Sequence, residues 1–579
     1  MELLKNLKQR WQNFQWPKIG QWRRIFDVSS RREKIALLVS GVFFLVGAGL
    51  LLVYGYQRLT IIVPNKGGEV SIGILGAPQF FNPVLTQTGD ADYEICTMIF
   101  SGLMKYDGEG NLINDLAQSY AIGDNGKIYD ITLKPDIKWH DGQPLTADDV
   151  IFTLQAIQNP DFRSPLKSSW QGIEVEKIDE LIVRFKLKKA YAPFLNSLNF
   201  GILPKHIWQN IEAARFSLTE QNQKPIGSGP YKIKTIAKES NGRITSVELA
   251  AFDGYFLGRP YLDKIKALFY LSEEEIWTAY KKNYLDAFGF ASAKNWLAVA
   301  EKNSFNLNVY SPILPRYFAI FFNQEANKLL AEKTVRQALA YSLDKKELVA
   351  QIFGGFGEIV NSPLLKGMTG WQEQIKIYDF APEHAKNLLA AAGWQDTDGD
   401  QVLEKANQKL EITLTTADRP ELIQAADFIK DNWAAIGVAA NVEIQNANTI
   451  QTEIIKPRQY QAILFGELPG VESDLFHFWH SSQKKENGLN LALYENAEVD
   501  KLLTEGQGDL DYNSRAQKYA QAVNLILEDL PAIFLYTPDY IFAADKDIQG
   551  INLKILNIPA VRFSQINEWF IKTTRSWRY

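Results

Sequence analysis

The sequence predicts an α/β protein of two lobes preceded by one N-terminal transmembrane helix, and three observations carry that reading. A charge-free apolar run spans residues 35–55. Strand-like and helix-like patterns then alternate over the remaining length, without repeats or low-complexity segments. Finally, 579 residues at 46% apolar and 22% charged is a length and balance suited to more than one packed core.

The apolar run, IALLVSGVFFLVGAGLLLVYG, covers about 30 Å as a helix, the thickness of a bilayer core. Residues 1–34 hold nine of the 62 Lys and Arg but three of the 67 Asp and Glu. A basic flank stays on the cytoplasmic side, so residues 1–34 are expected inside, 35–56 as the anchor and the rest outside. A cleaved signal peptide is the rival. Its apolar region is about 7–15 residues with a small-residue cleavage site, and YGYQRLTIIV offers none. Trp11, Phe14, Trp16 and Trp22 among the basic residues suit an amphipathic segment on the inner leaflet as well as they suit a plain tail.

Residues 57–67 read as a tether, and a strand opens the globular part near Glu69. Tyr129, Ile131 and Leu133 alternate with Asp130 and Thr132, and Leu181, Val183, Phe185 and Leu187 with Arg184 and Lys186. Thr146 with Asp149 three residues on marks a helix start, and Val150, Leu154 and Ile157 its buried stripe. Pro382 begins another helix that Gly393 closes. Leu422, Ala426, Ile429, Trp433 and Ile436 form a third stripe ended by Gly437, with a strand directly after.

Composition also excludes. Removing the basic N-terminus leaves a body more acidic than the formal charge of −5, which offers nucleic acid nothing. The single cysteine, Cys96, permits no internal disulfide and no cysteine zinc cluster, and is expected buried. No H-E-x-x-H, G-x-S-x-G, Walker or dinucleotide fingerprint is present, so an enzyme is not expected. His140-Asp141-Gly142 reads as a tight turn. Asp396, Asp398 and Asp400 have the spacing of a calcium loop, but Gln401 stands where Gly is needed and Asn407 at the twelfth place. A hairpin turn is favoured there over a calcium site. His477 and His480 lie one helical turn apart without a third ligand in the pattern, so no metal and no cofactor is expected.

Residues 137–154, IKWHDGQPLTADDVIFTL, resemble the signature of the family 5 extracellular solute-binding proteins, the oligopeptide, dipeptide and nickel receptors of ABC importers. TMIFSGLM (97–104), DLAQSY (115–120), ILPKH (202–206), PIGSGPY (225–231) and GRPYLDKI (258–265) resemble that family in the same order. VRQALAYSLD (335–344), AGW (392–394) and LALYENAEVDKLL (491–503) continue it. The resemblance implies a periplasmic-binding-protein-like fold of the large type II peptide-binding class. Lobe I would comprise 68–312 with an inserted subdomain plus 535–579, and lobe II 313–534, crossing back after Pro531. It implies a monomeric receptor at the cell membrane that closes on a short peptide and delivers it to permease subunits with cytoplasmic ATPases.

Peptide receptors of the family often hold the ligand's ammonium with an Asp, and by spacing Pro469 falls near that place. Glu467, Glu472 and Asp474 are the candidate substitutes. Phe80, Asn82, Ser228 (between Gly227 and Gly229), Asn323 and Asn490 are the other cleft candidates by neighbourhood. The alternatives are an anchored sensor or adhesin, a binder of a sugar or metal chelate, and a metal-dependent surface hydrolase.

Overall fold

The computed structural model describes residues 18, 20, 24, 27–86, 91–290, 306–470, 472, 474–486 and 488–577. The aromatic residues of the N-terminal prefix, Trp11, Phe14, Trp16 and Trp22, lie outside them. The chain divides into two compact units, residues 1–65 with 572–579, and residues 66–571.

In the first unit, helix Arg31–Leu59 starts where the Ser30 N–H donates to Glu33 Oε2 at 2.8 Å. Its side chains are unburied, and it is long and apolar enough to cross a membrane. It is longer than the predicted 35–56, because nothing in Tyr56-Gln57-Arg58-Leu59 breaks a helix. The predicted tether is also not a loose segment: Thr60–Pro64 is a strand paired antiparallel with Thr573–Trp577, with Thr60 opposite Trp577 and Pro64 opposite Thr573. Those C-terminal residues therefore pack with the anchor segment and not with lobe I, as their sequence position had suggested.

The second unit has two lobes, each built on its own sheet and core. The first sheet has seven strands, in the order Leu307–Tyr310, Ile541–Asp545, Ala287–Phe290, Glu69–Leu75, Lys264–Tyr270, Ile244–Ala251 and Tyr231–Lys238. Glu69–Leu75 runs parallel to both neighbours, and Val70, Ile72 and Ile74 are fully buried. Beside it, Ala117–Gly123, Ile128–Leu133, Ile182–Lys186 and Glu174–Asp179 form a four-stranded antiparallel sheet. Tyr129, Ile131, Leu133, Val183 and Phe185 face the core as their alternation predicts, while Asp130 and Arg184 pair bidentately on the other face at 2.6 and 2.7 Å. Leu181 and Leu187 stay half-buried at the strand's ends.

The second sheet has six strands, in the order Gly357–Ile359, Ala532–Pro538, Tyr317–Phe322, Ala462–Glu467, Glu411–Ala417 and Ala439–Gln445. Tyr317–Phe322 is buried along its whole length. Helix Pro420–Ala434 buries Leu422, Ala426, Ile429 and Trp433, and Gly437 ends the segment at φ 82°. Ala532–Pro538 is an interior strand of this sheet, so the chain returns to the first sheet after Pro538 and not at 535.

Candidate functional site

Strands Glu411–Ala417 and Ala462–Glu467 are parallel neighbours, and both end at a cavity of about 410 Å³. The carboxyl ends of parallel strands are where α/β sheets open to ligands, because the connections diverge there. Ala417, Arg419, Phe465 and Glu467 line it from the second lobe, with Arg316 and Phe318 from the neighbouring strand and Pro559 from the first lobe. A second cavity of about 460 Å³ shares Leu468 with it and brings Tyr106, Tyr191 and Asn196 of the first lobe against Pro469, Gly470 and Glu472 of the second. Together they make a cleft with walls from both lobes.

Two residues that line the first cavity each hold an enclosed polar atom without a partner among the described residues. Glu467 accepts the Tyr317 hydroxyl proton at Oε2, while its Oε1 is enclosed and unpaired. Burial pushes the Glu467 carboxyl up to about 8, against the lowering effect of the Tyr317 hydrogen bond. Arg316 donates from Nη2 to the Pro538 carbonyl at 3.4 Å, and its Nε is enclosed and unpaired. Burial and then the neighbouring Arg419 bring the Arg316 guanidinium down to about 10. Arg419 itself pairs with Glu421 at 2.6 Å. Each unpaired buried atom costs about 1–3 kcal/mol, so the cavity lining carries a penalty.

Most other candidates use their polar atoms to hold their own lobe. Asn82, fully buried, donates from Nδ2 to Asn222 Oδ1 at 3.0 Å and accepts the Val84 N–H at Oδ1. Ser228 Oγ accepts the Ser101 N–H at 3.4 Å inside the first lobe. Asn323 accepts the Glu325 and Ala326 N–H groups and donates to the Arg458 carbonyl. Asn490 donates to the His480 and Tyr494 carbonyls and accepts the Tyr494 N–H. Phe80 is half-buried and lines neither cavity, its N–H donating to Asp92. Of the three acids, Asp474 caps helix Leu475–Trp479 through the Phe476 N–H and accepts Gln507 Nε2 at 2.8 Å. Glu472 lines the second cavity 3.6 Å from Arg515.

His140 is a framework group. Its Nδ1 accepts the Gly227 N–H at 3.2 Å and its Nε2 lies 3.1 Å from the Gly229 carbonyl, which fixes the neutral tautomer. Burial brings it down to about 4. Gly227 and Gly229 are glycines because a Cβ on either would lie 2.0 or 2.5 Å from Ile99 backbone atoms. Asp396, Asp398, Asp400 and Glu404 have ligand atoms within 4.8 Å of one another. Asp396 accepts the Gly399 and Gln401 N–H groups of the turn, and Lys409 pairs with both Asp398 and Asp400. His480 accepts the Ser482 N–H, and His477 sits 3.3 Å from Asp474.

Sequence reasoning missed Arg316, Arg419, Tyr106 and Tyr191. Arg316 had a signal: it is the one charge in ILPRYFAIFFN, where a strand destined for burial should carry none.

The family model described as "Bacterial extracellular solute-binding proteins, family 5 Middle" matches residues 111–488. The chain is 32% identical over 555 residues to the oligopeptide-binding protein AppA of Bacillus subtilis, covering 93% of this chain and 99% of that one. It is 24% identical to the dipeptide-binding protein of Escherichia coli, over 82% of this chain and 90% of the relative. The solved structure of Bacillus subtilis AppA in complex with a nonapeptide superposes with a TM-score of 0.71 at 31% identity, covering 88% of this chain and all of that one. NikZ of Campylobacter jejuni in complex with Ni(L-His) gives 0.72 at 27%, covering 87% and 99%. With its two lobes, its shared cleft and a family match over most of its length, the chain belongs to the bacterial extracellular solute-binding proteins of family 5.

Proposed function

We propose that this protein is the membrane-tethered, extracytoplasmic receptor of an ABC importer and that it captures short peptides between its lobes. The carrying observation is that Glu467 and Arg316, groups of opposite character that line one cavity, each keep an enclosed atom unpartnered, Oε1 and Nε. A peptide presents both complements, donors from its ammonium or amides and acceptors from its carbonyls or carboxylate. The peptide-bound relative supports that solute class. Of the three candidate acids, Glu467 is assigned to the ligand's positive end. Asp474 already serves as a helix cap and Glu472 already faces Arg515.

The lobes are assigned to the first sheet with its four-stranded partner and to the second sheet, hinged where the chain passes between them near 311–316 and 538–541. Ligand drives closure by binding the closed arrangement better than the open one. The apolar helix anchors the receptor, with the basic N-terminus inside and the two lobes outside.

Full-length protein in detergent, titrated with unmodified tri- to pentapeptides, should become more compact by small-angle scattering and melt at higher temperature. At a hundredfold excess over the dissociation constant the stabilisation is about 2.7 kcal/mol. Absence of both responses across such a peptide library overturns the solute assignment.

A further inference from the structure

The anchor unit carries a feature that neither the cleft nor the transport cycle uses. Helix Arg31–Leu59 passes directly into strand Thr60–Pro64, and the antiparallel register sets Trp577 opposite Thr60. The C-terminal end of the chain is thereby carried back to the end of the apolar helix. There the side chains form a compact aromatic and cationic group. The Trp577 ring meets the Tyr56 ring edge-on at 5.9 Å. The Arg575 guanidinium lies 5.9 Å from the Tyr56 ring centre and donates to Thr60 Oγ1 at 3.1 Å. Arg58 lies 5.4 Å from the Tyr54 ring centre.

These groups are poorly covered for their chemistry: Tyr54, Tyr56, Trp577 and Ile62 are 56, 46, 59 and 62% exposed. A water-facing ribbon of two short strands has no reason to display them. The charge is one-sided as well. No Asp or Glu occurs between Glu33 and Glu69, nor after Glu568, whereas Arg58, Lys66, Lys572, Arg575 and Arg578 fall within those stretches. Tyrosine and tryptophan beside arginine, without acids, at the end of an apolar helix is the chemistry of a lipid headgroup layer. The rings sit at the acyl boundary and the guanidinium groups reach phosphate.

We propose that the ribbon of residues 60–64 and 573–577 is a membrane-seated collar, in which Trp577, Tyr56 and Arg575 bind the headgroup layer of the bilayer that the helix spans. Strand Thr573–Trp577 is then a second, non-covalent membrane attachment. The globular part leaves the membrane through two chain connections, at residues 65–66 and 571–572, and not through one flexible tether. The proposal rests on the reading that residues 35–56 span a membrane, and the test separates the two.

The experiment uses full-length protein in lipid nanodiscs containing anionic phospholipid, in a Cys96→Ala background that removes the single native thiol. Nitroxide labels are placed one at a time at Leu45→Cys, Ser576→Cys and Thr573→Cys, and depth is read from relative collision with oxygen and a water-soluble nickel chelate. The expected order is Leu45 deep in the acyl region, Ser576 at headgroup depth and Thr573 in water. In the Ser576→Cys protein, Trp577→Ala with Arg575→Ala should raise nickel collision at least threefold. Leu45 deep with Ser576 fully in water overturns the collar and leaves the anchor standing. Leu45 in water overturns both. A Ser576 label at headgroup depth that the double substitution does not move also overturns the collar, because covalent linkage to the helix would then account for the depth.

Discussion

Asn82, Ser228 and His140 of the first lobe contrast with Glu467 and Arg316 of the second. In the first, Asn82 and Ser228 are fully buried and His140 is half-buried, and each is matched to a backbone or side-chain partner of its own lobe. In the second, buried Glu467 and half-buried Arg316 line the cavity, and each keeps one enclosed atom unmatched. Burial alone does not separate a framework residue from a ligand-reading one. Nor does an unmatched atom alone, since Arg562 Nε, Ser564 Oγ and Asn567 Oδ1 of the first lobe are also enclosed and unpaired among the described residues; Glu467 and Arg316 differ in that both also line the cleft between the lobes.

The comparison breaks if framework groups of the first lobe prove to govern binding. Gly227→Ala should be the most damaging change, since its Cβ would meet the Ile99 carbonyl oxygen at 2.0 Å. It should destabilise by about 3 kcal/mol in urea unfolding, while the folded fraction binds peptide normally. Asn82→Ala leaves the Val84 N–H and Asn222 Oδ1 unmatched and should cost about 2 kcal/mol, again without a change in peptide affinity. A tenfold loss of affinity in either folded variant would erase the distinction between the two sets of residues.

Glu467→Gln should do the reverse, weakening peptide binding more than tenfold, about 1.4 kcal/mol, by calorimetry. N-acetylation of the peptide should reproduce the loss in the wild-type protein and add little in the variant.

Titration sharpens the contrast, because His140 and Glu467 respond to pH with opposite sign. His140 is brought down to about 4 from an ordinary 6.5, so its contribution is complete above 6.5 and is lost as pH falls toward 4. Glu467 is raised to about 8 from 4.5, so its contribution is complete below 4.5 and is lost as pH rises toward 8. Urea midpoints of ligand-free protein should show both slopes, and Glu467→Gln should flatten the alkaline one alone. Peptide binding at pH 7 should release a proton as Glu467 ionises against the ammonium, visible as a dependence of binding enthalpy on buffer. The smallest effect belongs to Glu472→Gln. Its carboxylate is partly solvated and 3.6 Å from Arg515, so stability and affinity should each change by less than about 0.5 kcal/mol.

Much of the framework was legible because it depends on local rules. The 35–55 run gave the helix, the Tyr129–Ile131–Leu133 alternation gave a strand, and Thr146 with Asp149 gave a helix start that the structure closes with a 2.9 Å bond. Motif order gave the family. Lone polar residues were read less well. Asn323 and Asn490 line neither cavity and spend their polar atoms on nearby backbone, and no spacing rule says which way a side chain between two loops will face. Arg316 and Arg419 lie more than a hundred residues apart, so their meeting at one cavity could not be seen in either segment.

The sequence by itself determined an apolar helix, two α/β cores and membership of a solute-binding family, since periodicity, charge and motif order are properties of contiguous residues. Tertiary structure decided three other things. It left one oxygen of Glu467 unpaired while engaging Glu472 and Asp474 with Arg515, Gln507 and a helix terminus. It returned the chain to the first sheet after Pro538 and not at 535, because Ala532–Pro538 pairs on both edges. It also joined strand Thr573–Trp577 to Thr60–Pro64, making a paired ribbon of what reads as a tether. Each of these turns on which distant groups compete for one hydrogen-bonding partner, and that competition exists only once the chain has folded.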